Sequence, residues 1–161
     1  MSIKIISKSG VKTQNTGKKL AGLLKPGSLV LLNGDLGAGK TVFVQGLCKA
    51  LGVSEHVTSP TFALINTYKG IFPKTGEHAD IVHCDAYRLG SLEELYDAGF
   101  FDFGEDAVLI CEWSENVFGN NKEPGCIEVN IVRRDDISAN YREIYISADG
   151  GEGEALEAAF H

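Results

Sequence analysis

The sequence predicts an α/β fold in which a mixed, mostly parallel sheet is flanked by helices and completed by a late antiparallel hairpin. Short apolar runs alternate with segments of helical period, and no internal repeat or linker separates them. At 161 residues the chain has about the length of one domain, so we expect residues 1–161 to form a single unit. A hydrophobic share of 43% and a charged share of 23% exclude the collagenous and disordered classes.

The charge balance of the chain is acidic. Fifteen lysines and arginines stand against twenty-two aspartates and glutamates, which gives a net charge of −7 at pH 7. A protein that binds a polyphosphate backbone by itself needs a net positive charge, at least on the binding surface. If a nucleic acid is involved, we therefore expect another protein to hold most of it.

Targeting and membrane signals are missing from the sequence. Residues 1–20 lack the apolar core and cleavage site of a signal peptide, and no stretch approaches the roughly 18 apolar residues of a membrane span. We expect a cytoplasmic protein with no membrane association. The four cysteines form no Cys-x-x-Cys pair, so we expect buried free thiols, and the four histidines lack the spacing of a zinc site.

The first third of the chain predicts a helix, a strand, a glycine loop and a second helix. Residues 12–24 place leucines on a helical period, and Pro26-Gly27 ends that helix. Residues 28–32 form a short unbroken apolar run, which is typical of a strand covered on both faces. After the loop, VFVQGLCKAL predicts a helix that ends at Gly52.

The middle of the chain predicts three strands and one short helix. Alternation or an unbroken apolar run marks the strands, at residues 62–68, 79–84 and 107–111. Residues 70–77 are rich in turn formers and predict a connector. Ser91 and Glu94 form a capping box, which opens a short helix that ends at Gly99.

The last third predicts the antiparallel hairpin. Residues 127–132 and 143–146 alternate, and residues 133–141 join them. The charged run 133–136 is most simply a solvated hairpin tip. Residues 151–161 form at most a short helix, to which we assign no chemistry.

The strongest functional signal is GDLGAGKT, at residues 34–41. Successive backbone N–H groups can cradle a phosphate chain in a loop that Cβ atoms would obstruct, and the following helix points its positive end at the anion. Lys40 would reach the β and γ phosphates, and the Thr41 hydroxyl would reach Mg²⁺. Strand, loop and helix together predict a P-loop NTPase domain, with nucleotide contacts from the whole loop: Gly34, Asp35, Leu36, Gly37, Ala38, Gly39, Lys40 and Thr41.

Two acids follow predicted strands. Asp85 comes directly after the run IVHC and Glu112 directly after VLIC. Ligands of open α/β sheets collect at the carboxyl ends of strands, so one acid could hold the metal while the other orders water or a switch loop. Either acid alone could instead be a helix cap or a solvated strand end.

The sequence favours ATP over GTP. Guanine-specific P-loop proteins usually have an Asn-Lys-x-Asp motif. Residues 121–124, Asn-Lys-Glu-Pro, are the nearest approach to it and lack the aspartate.

Four motifs in this order and spacing resemble the TsaE (YjeE) family. They are the loop at 34–41, Ser-Pro-Thr-Phe at 59–62, His-x-Asp-x-Tyr-Arg-Leu at 83–89 and Glu-Trp at 112–113. The resemblance covers about residues 10–147, and the four motifs together are far more specific than the loop alone. That family is the small bacterial P-loop ATPase of tRNA threonylcarbamoyladenosine biosynthesis.

The resemblance implies a function, cofactors and partners. It implies a parallel-cored sheet, ATP and Mg²⁺ as cofactors, and joint action with the TsaB and TsaD proteins on the adenosine beside the anticodon. We expect contact with tRNA to be mainly indirect, through those partners. Alone, the chain is expected to be a weak ATPase, because the further cation that speeds phosphoryl transfer would have to be Arg88, in a loop that a partner must order.

The resemblance also implies roles for single residues. Lys40 is expected to be catalytic and to bind phosphate, with Thr41 and Glu112 on magnesium. Asp85 is expected to act in a switch-like segment together with Tyr87 and the catalytic Arg88. Two further residues would join the nucleotide site, Thr61 in the other switch segment and Arg142 in a late strand.

Several positions have simpler interpretations or depart from the family pattern. His83 would ordinarily be a core-facing histidine satisfied by a backbone group, and Trp113 a core or rim aromatic. Ser59-Pro60 is by itself more often a plain turn. Val42 stands where the family usually has a second threonine, and the connector at 70–79 is longer than in the shortest members.

Two other functions remain open from the residues. One is a small-molecule kinase, although such enzymes generally clamp the phosphoryl group with lid arginines and this chain has four arginines and no helical lid insertion. The other is a nucleotide-sensing scaffold in which hydrolysis is incidental.

Overall fold

The computed structural model describes residues 1–60, 64–119 and 123–161, and these residues form seven strands and five helices. In chain order the elements are β1 (Ser2–Ser7), α1 (Gly10–Ala21), β2 (Leu29–Asn33), α2 (Lys40–Ala50), β3 (Ile65–Ile71), β4 (His78–Asp85), α3 (Leu92–Asp97), β5 (Val108–Glu112), α4 (Glu115–Phe118), β6 (Ile127–Arg133), β7 (Arg142–Ala148) and α5 (Gly150–Phe160).

All seven strands lie in one mixed sheet, in the order β1-β7-β6-β2-β5-β4-β3. The four central strands β6, β2, β5 and β4 are parallel to one another, whereas β1, β7 and β3 pair antiparallel at the two sides. The mixed sheet with a parallel centre and the late hairpin, β6 with β7, are therefore confirmed.

The central strand β2 is buried on both faces. Val30 and Leu32 face one apolar cluster with α1 and α2, while Leu31 faces a second cluster on the side of α3 and α4. Successive side chains of a strand point to opposite faces, so an unbroken apolar run is what such a position requires. This arrangement confirms the expectation for residues 28–32.

The helices α1 and α2 pack closely against each other and fix the start of α2 at the glycine loop. Their approach depends on Gly46, because a Cβ there would lie 1.9 Å from the carbonyl oxygen of Gln14. Both helices begin and end within a few residues of the bounds expected from the sequence.

Two parts of the sheet differ from the expectation. The strand β1 was not predicted. It pairs antiparallel with β7, which lies near the other end of the sequence, so that Ser2 pairs with Ser147 and Ser7 with Arg142. The predicted connector at 70–77 is the tip of a hairpin, because β3 extends to Ile71 and pairs antiparallel with β4 up to His78. Of the strand predicted at 62–68, residues 62 and 63 lie outside the described part of the chain.

The four cysteines are buried free thiols, as expected. Burial raises the pKa of the Cys48 thiol to about 12, so this thiol is inert at neutral pH. Within the described residues no helix has the length and apolar character that crossing a bilayer requires.

Candidate functional site

The glycine loop joins the end of β2 to the start of α2. Its glycines 34, 37 and 39 all have positive φ, and at Gly34 a Cβ would lie 2.6 Å from the carbonyl oxygen of Ile131. No side chain caps the start of α2, so its first N–H groups stay available to an anion. The loop therefore has the backbone form of a phosphate cradle.

Two arginines of the β6–β7 hairpin contact the outside of this loop. Arg142 donates through Nε to the carbonyl oxygen of Ala38 at 3.0 Å and through Nη2 to that of Gly37 at 3.4 Å. Arg133, its register partner, lies 3.5 Å through Nη1 from the carbonyl oxygen of Leu36. Because the carbonyl and the following N–H of a peptide point in opposite directions, these contacts turn amides such as that of Gly39 to the other side of the loop.

The side chain of Lys40 folds back onto the loop. Its Nζ donates to the carbonyl oxygens of Gly34 and Asp35, the latter at 3.1 Å, and lies 3.9 Å from the centre of the Trp113 ring. Lys40 is only 6% exposed, and this burial lowers its pKa, although Glu112 and Asp85 act in the opposite direction. A phosphate group would offer this ammonium a stronger partner than the two carbonyls do.

Trp113 forms one wall of the site. It has a left-handed backbone conformation, with φ of 57°, directly after β5. The ring faces Lys40 on one side and lies 4.9 Å from the ring of Tyr87, centre to centre. Trp113 thus lies beside the glycine loop and also packs against the apolar cluster on the side of α3 and α4.

The two acids are register partners at the ends of the parallel strands β4 and β5. Asp85 accepts hydrogen bonds on both oxygens, from the Ser59 hydroxyl and from the backbone N–H of Tyr87, each at 3.0 Å. Glu112 is only 2% exposed, and its Oε2 lies 2.6 Å from Nε2 of His83. The topology places both carboxylates beside the loop because parallel strands end at the same edge of the sheet.

A cavity of about 350 Å³ brings these groups together. Its lining comprises the loop and the start of α2, both acids, and two neighbours, that is residues 36–42, Ser59, Asp85, Glu112 and Trp113. The Thr41 hydroxyl and two carboxylates are oxygen donors of the kind that Mg²⁺ prefers. Among the described residues no group of three or more His, Cys, Asp or Glu could hold a metal, so Mg²⁺ here would also need phosphate and water oxygens.

Some predicted site residues lie elsewhere. Arg88 is exposed, does not line the cavity, and has no hydrogen-bond or ion-pair partner within residues 1–60, 64–119 and 123–161. Asp35 is exposed at the loop tip and contributes its carbonyl oxygen to Lys40. Thr61 lies outside the described residues. Arg142 lines a different cavity of about 200 Å³ on the other side of the loop, with Ser9, Gly10, Thr13 and Asn140.

The simpler interpretation of His83 holds in part, because the side chain is fully buried in the core. Its partner is the side chain of Glu112 and not a backbone group. The sequence contained a signal for this contact. His83 precedes Asp85 by two residues on one strand, so the two side chains lie on the same face of the sheet. Glu112 is the register partner of Asp85 and therefore lies on that face too. Ser59 is likewise more than a plain turn residue, because its hydroxyl holds Asp85.

Comparison with known proteins gives a consistent result. The sequence profile of the family described as "Threonylcarbamoyl adenosine biosynthesis protein TsaE" matches residues 7–144. The chain is 42% identical over 132 residues to the tRNA threonylcarbamoyladenosine biosynthesis protein TsaE of Rickettsia bellii, which covers 81% of this chain and 87% of that protein. To the protein of the same name from Streptomyces coelicolor it is 45% identical over 100 residues, covering 62% of this chain and 65% of that one.

The fold is also similar to a solved structure. The crystal structure of Bacillus subtilis YdiB superposes with a TM-score of 0.73 at 29% sequence identity, covering 99% of this chain and 94% of that chain. The family profile and the structural superposition both span the glycine loop, the two acids and the hairpin arginines.

Proposed function

The chain belongs to the TsaE family, and from that premise we propose that it is the ATP-binding and ATP-hydrolysing component of tRNA threonylcarbamoyladenosine biosynthesis. In this role it acts with the TsaB and TsaD proteins on the adenosine beside the anticodon. The observation that supports this proposal best is the single cavity in which the phosphate loop faces Asp85 and Glu112.

The geometry supports one direction for the bound nucleotide. The acids and Lys40 lie at one end of the loop, so the β and γ phosphates belong there, with Thr41 and Glu112 on Mg²⁺. The nucleoside then belongs at the other end, in the cavity lined by Thr13, Asn140 and Arg142. That cavity has a volume of about 200 Å³, and the side chains of Thr13, Asn140 and Arg142 offer polar groups to a ribose and a base.

The chain's own residues divide the work of hydrolysis. Lys40 leaves its two carbonyl partners and binds the phosphates, while Trp113 excludes water from the wall behind it. Asp85, held on both oxygens by Ser59 and the Tyr87 amide, is fixed in orientation and serves to position the attacking water. Magnesium, when bound, neutralises charge that develops on the transferring phosphoryl group.

Among the described residues that line the cavity, Lys40 is the only cation, and the need for a further one in the transition state supports dependence on a partner. Arg88 is exposed and lies in the loop after β4, three residues beyond Asp85, which ends that strand. A partner that orders this loop would bring the guanidinium to the phosphates, a contribution of about 10³ to 10⁵ in rate. The net charge of −7 favours a partner with a basic surface, and that partner would hold most of the tRNA. The complex would act in the cytoplasm.

Reconstituted tRNA modification tests the proposal. Purified TsaB, TsaD, tRNA and the threonylcarbamoyl donor would be combined with wild-type chain, with Lys40→Ala, or with Lys49→Ala as a matched control from the exposed side of α2. We expect repeated modification per complex with the wild type and the control, and none above background with Lys40→Ala. Equal product with and without the chain would contradict the proposal.

One further variant distinguishes hydrolysis from sensing. Asp85→Asn should bind ATP and fail to support repeated modification, whereas a sensing scaffold would support it with the same variant. Transfer of the γ phosphoryl group to an added acceptor metabolite, faster than to water, would instead identify a small-molecule kinase.

A further inference from the structure

The buried imidazole of His83 is a polar group in the sheet that the proposed function leaves unused. It lies on β4, its side chain is fully buried, and its Nε2 is 2.6 Å from Oε2 of Glu112 on the neighbouring strand. The Glu112 side chain is only 3% exposed. Within the described part of the chain no other hydrogen bond reaches this carboxylate.

The second ring nitrogen determines where the proton of His83 lies. Nδ1 is buried and has no hydrogen-bond partner within the described residues. A proton on Nδ1 would bury an unpaired N–H, whereas a bare lone pair at that position costs less. This difference favours the tautomer with its proton on Nε2, which then donates to Glu112.

We propose that His83 is a positioning residue that orients Glu112 toward the metal. Its N–H engages Oε2 and fixes the carboxylate plane, which leaves Oε1 for Mg²⁺ beside Thr41. Groups that hydrogen-bond a metal ligand from behind commonly set its orientation in this way. This inference rests on the proposed function, since it takes Glu112 as the magnesium ligand.

Substitution of His83 tests the role through the magnesium requirement. His83→Leu removes the donor and keeps most of the volume, whereas His83→Gln keeps an amide N–H near the position of Nε2. Binding of a fluorescent ATP analogue would be titrated with Mg²⁺ for both variants and for His78→Gln, an exposed histidine at the start of the same strand. Affinity without Mg²⁺ and thermal unfolding would be measured alongside.

We expect the magnesium midpoint to rise about 10- to 100-fold in His83→Leu, to rise much less in His83→Gln, and to stay unchanged in His78→Gln. Affinity for the analogue without Mg²⁺ should stay the same in all three. A purely structural role predicts equal effects of Leu and Gln, or a loss of stability with an unchanged midpoint, and either result would overturn the proposal.

The wild-type protein provides a test that does not depend on the folding of a variant. Nitrogen NMR of the ¹⁵N-labelled chain distinguishes the two neutral tautomers and the cation of each histidine. His56, His78 and His161 are exposed, so one ring should stand apart as a fixed Nε2–H tautomer, and its signals should shift when Mg²⁺ is added with ATP. A proton on Nδ1 of that ring, or no response to Mg²⁺, would overturn the inference.

The variant Glu112→Ala separates this inference from the proposed function. If Glu112→Ala raises the magnesium midpoint and His83→Leu does not, the positioning role of His83 fails while the metal site stands. If Glu112→Ala also leaves the midpoint unchanged, Glu112 is not a ligand and the metal assignment fails first.

Discussion

At the scale of single residues, Lys40 and the two acids decide what the site can do. Lys40 is held by two backbone carbonyls and the Trp113 ring, all of which are weaker partners than a phosphate. Asp85 and Glu112 end neighbouring strands but have different surroundings. Asp85 is half-buried and held by donors from two loops, while Glu112 is buried against His83.

Replacement of Lys40 should abolish productive nucleotide binding. The ammonium makes charge-assisted hydrogen bonds of about 1.5–3 kcal/mol each, and two such bonds to the phosphates correspond to a loss of at least about a hundredfold in affinity. We expect this loss in Lys40→Ala and no change in Lys49→Ala, by calorimetry with ATP. Wild-type affinity in Lys40→Ala would refute the assignment of the loop.

The two acids should respond differently to substitution. We expect Glu112→Ala to need at least about tenfold more Mg²⁺ for binding and turnover, because it loses a metal ligand. Asp85→Asn should bind Mg²⁺ and ATP normally and turn over slowly, because it loses the group that positions water. A magnesium titration of both variants measures this, and the opposite pattern would exchange the two roles.

At the scale of elements, two contacts position the loop. The β6–β7 hairpin holds the loop carbonyls from outside through Arg142 and Arg133. The α1–α2 pair holds the start of α2, at the crossing where Gly46 meets the backbone of Gln14. Both contacts join segments that are distant in the chain, so each makes the loop geometry depend on the whole fold.

Loss of the hairpin contact should weaken ATP binding without unfolding the chain. Arg142→Ala removes the donors to the carbonyl oxygens of Gly37 and Ala38. The loop is then less ordered before ATP binds, and the cost of ordering it lowers the affinity for ATP. We expect about a tenfold loss of ATP affinity, which Arg142→Lys does not restore because a lysine lacks the planar fork. The matched control is Arg134→Ala, whose arginine pairs with Asp136 and Glu143 and not with the loop.

The helix crossing makes a prediction about stability. Gly46→Ala places a Cβ against the Gln14 carbonyl and should lower the free energy of unfolding by about 1–3 kcal/mol. The control is Gly151→Ala on α5, where a Cβ meets nothing within 4 Å and the change should be neutral or stabilising by about 1 kcal/mol. Urea denaturation of both variants measures the difference, and equal stabilities would contradict the close approach.

At the scale of the whole molecule, the net charge and the exposed Arg88 loop bear on the proposed contact with partners. The net charge of −7 disfavours direct capture of tRNA and favours a basic protein surface. Arg88 is exposed, and no described residue restrains its guanidinium. A partner can therefore move this side chain without first breaking an ion pair.

The isolated chain should be a slow ATPase that the TsaB and TsaD complex stimulates. We expect Arg88→Ala to keep ATP binding and lose most of the stimulation, because its guanidinium would stabilise the transition state. Stimulation should also weaken as salt is raised, since opposite charges attract the partners. Steady-state turnover with and without partners measures both effects, with Lys69→Ala, which pairs with Asp80 on the neighbouring strand, as the control.

Full stimulation of the Arg88→Ala protein would show that the partner supplies its own cation. Equal turnover of the wild type with and without partners would contradict stimulation altogether.

The sequence by itself determined the elements that depend on local spacing. The glycine loop with Lys40 and Thr41, the buried strand before it and the acids that end β4 and β5 follow from residue types within about ten positions of each other. Helices and apolar strands have a characteristic spacing of apolar residues, so they can be predicted from the local sequence without knowing which elements they pack against. The family motifs at 34–41, 59–62, 83–89 and 112–113 were readable for the same reason.

Only the tertiary structure decided which distant groups meet. The β1 strand pairs with residues about 140 positions away, and Arg142 reaches a carbonyl 104 positions earlier. The bond between His83 and Glu112 spans 29 positions and depends on the register of two parallel strands. No local pattern encodes such contacts, because they arise from the packing of the whole sheet, and they orient the Glu112 carboxylate and the loop amides.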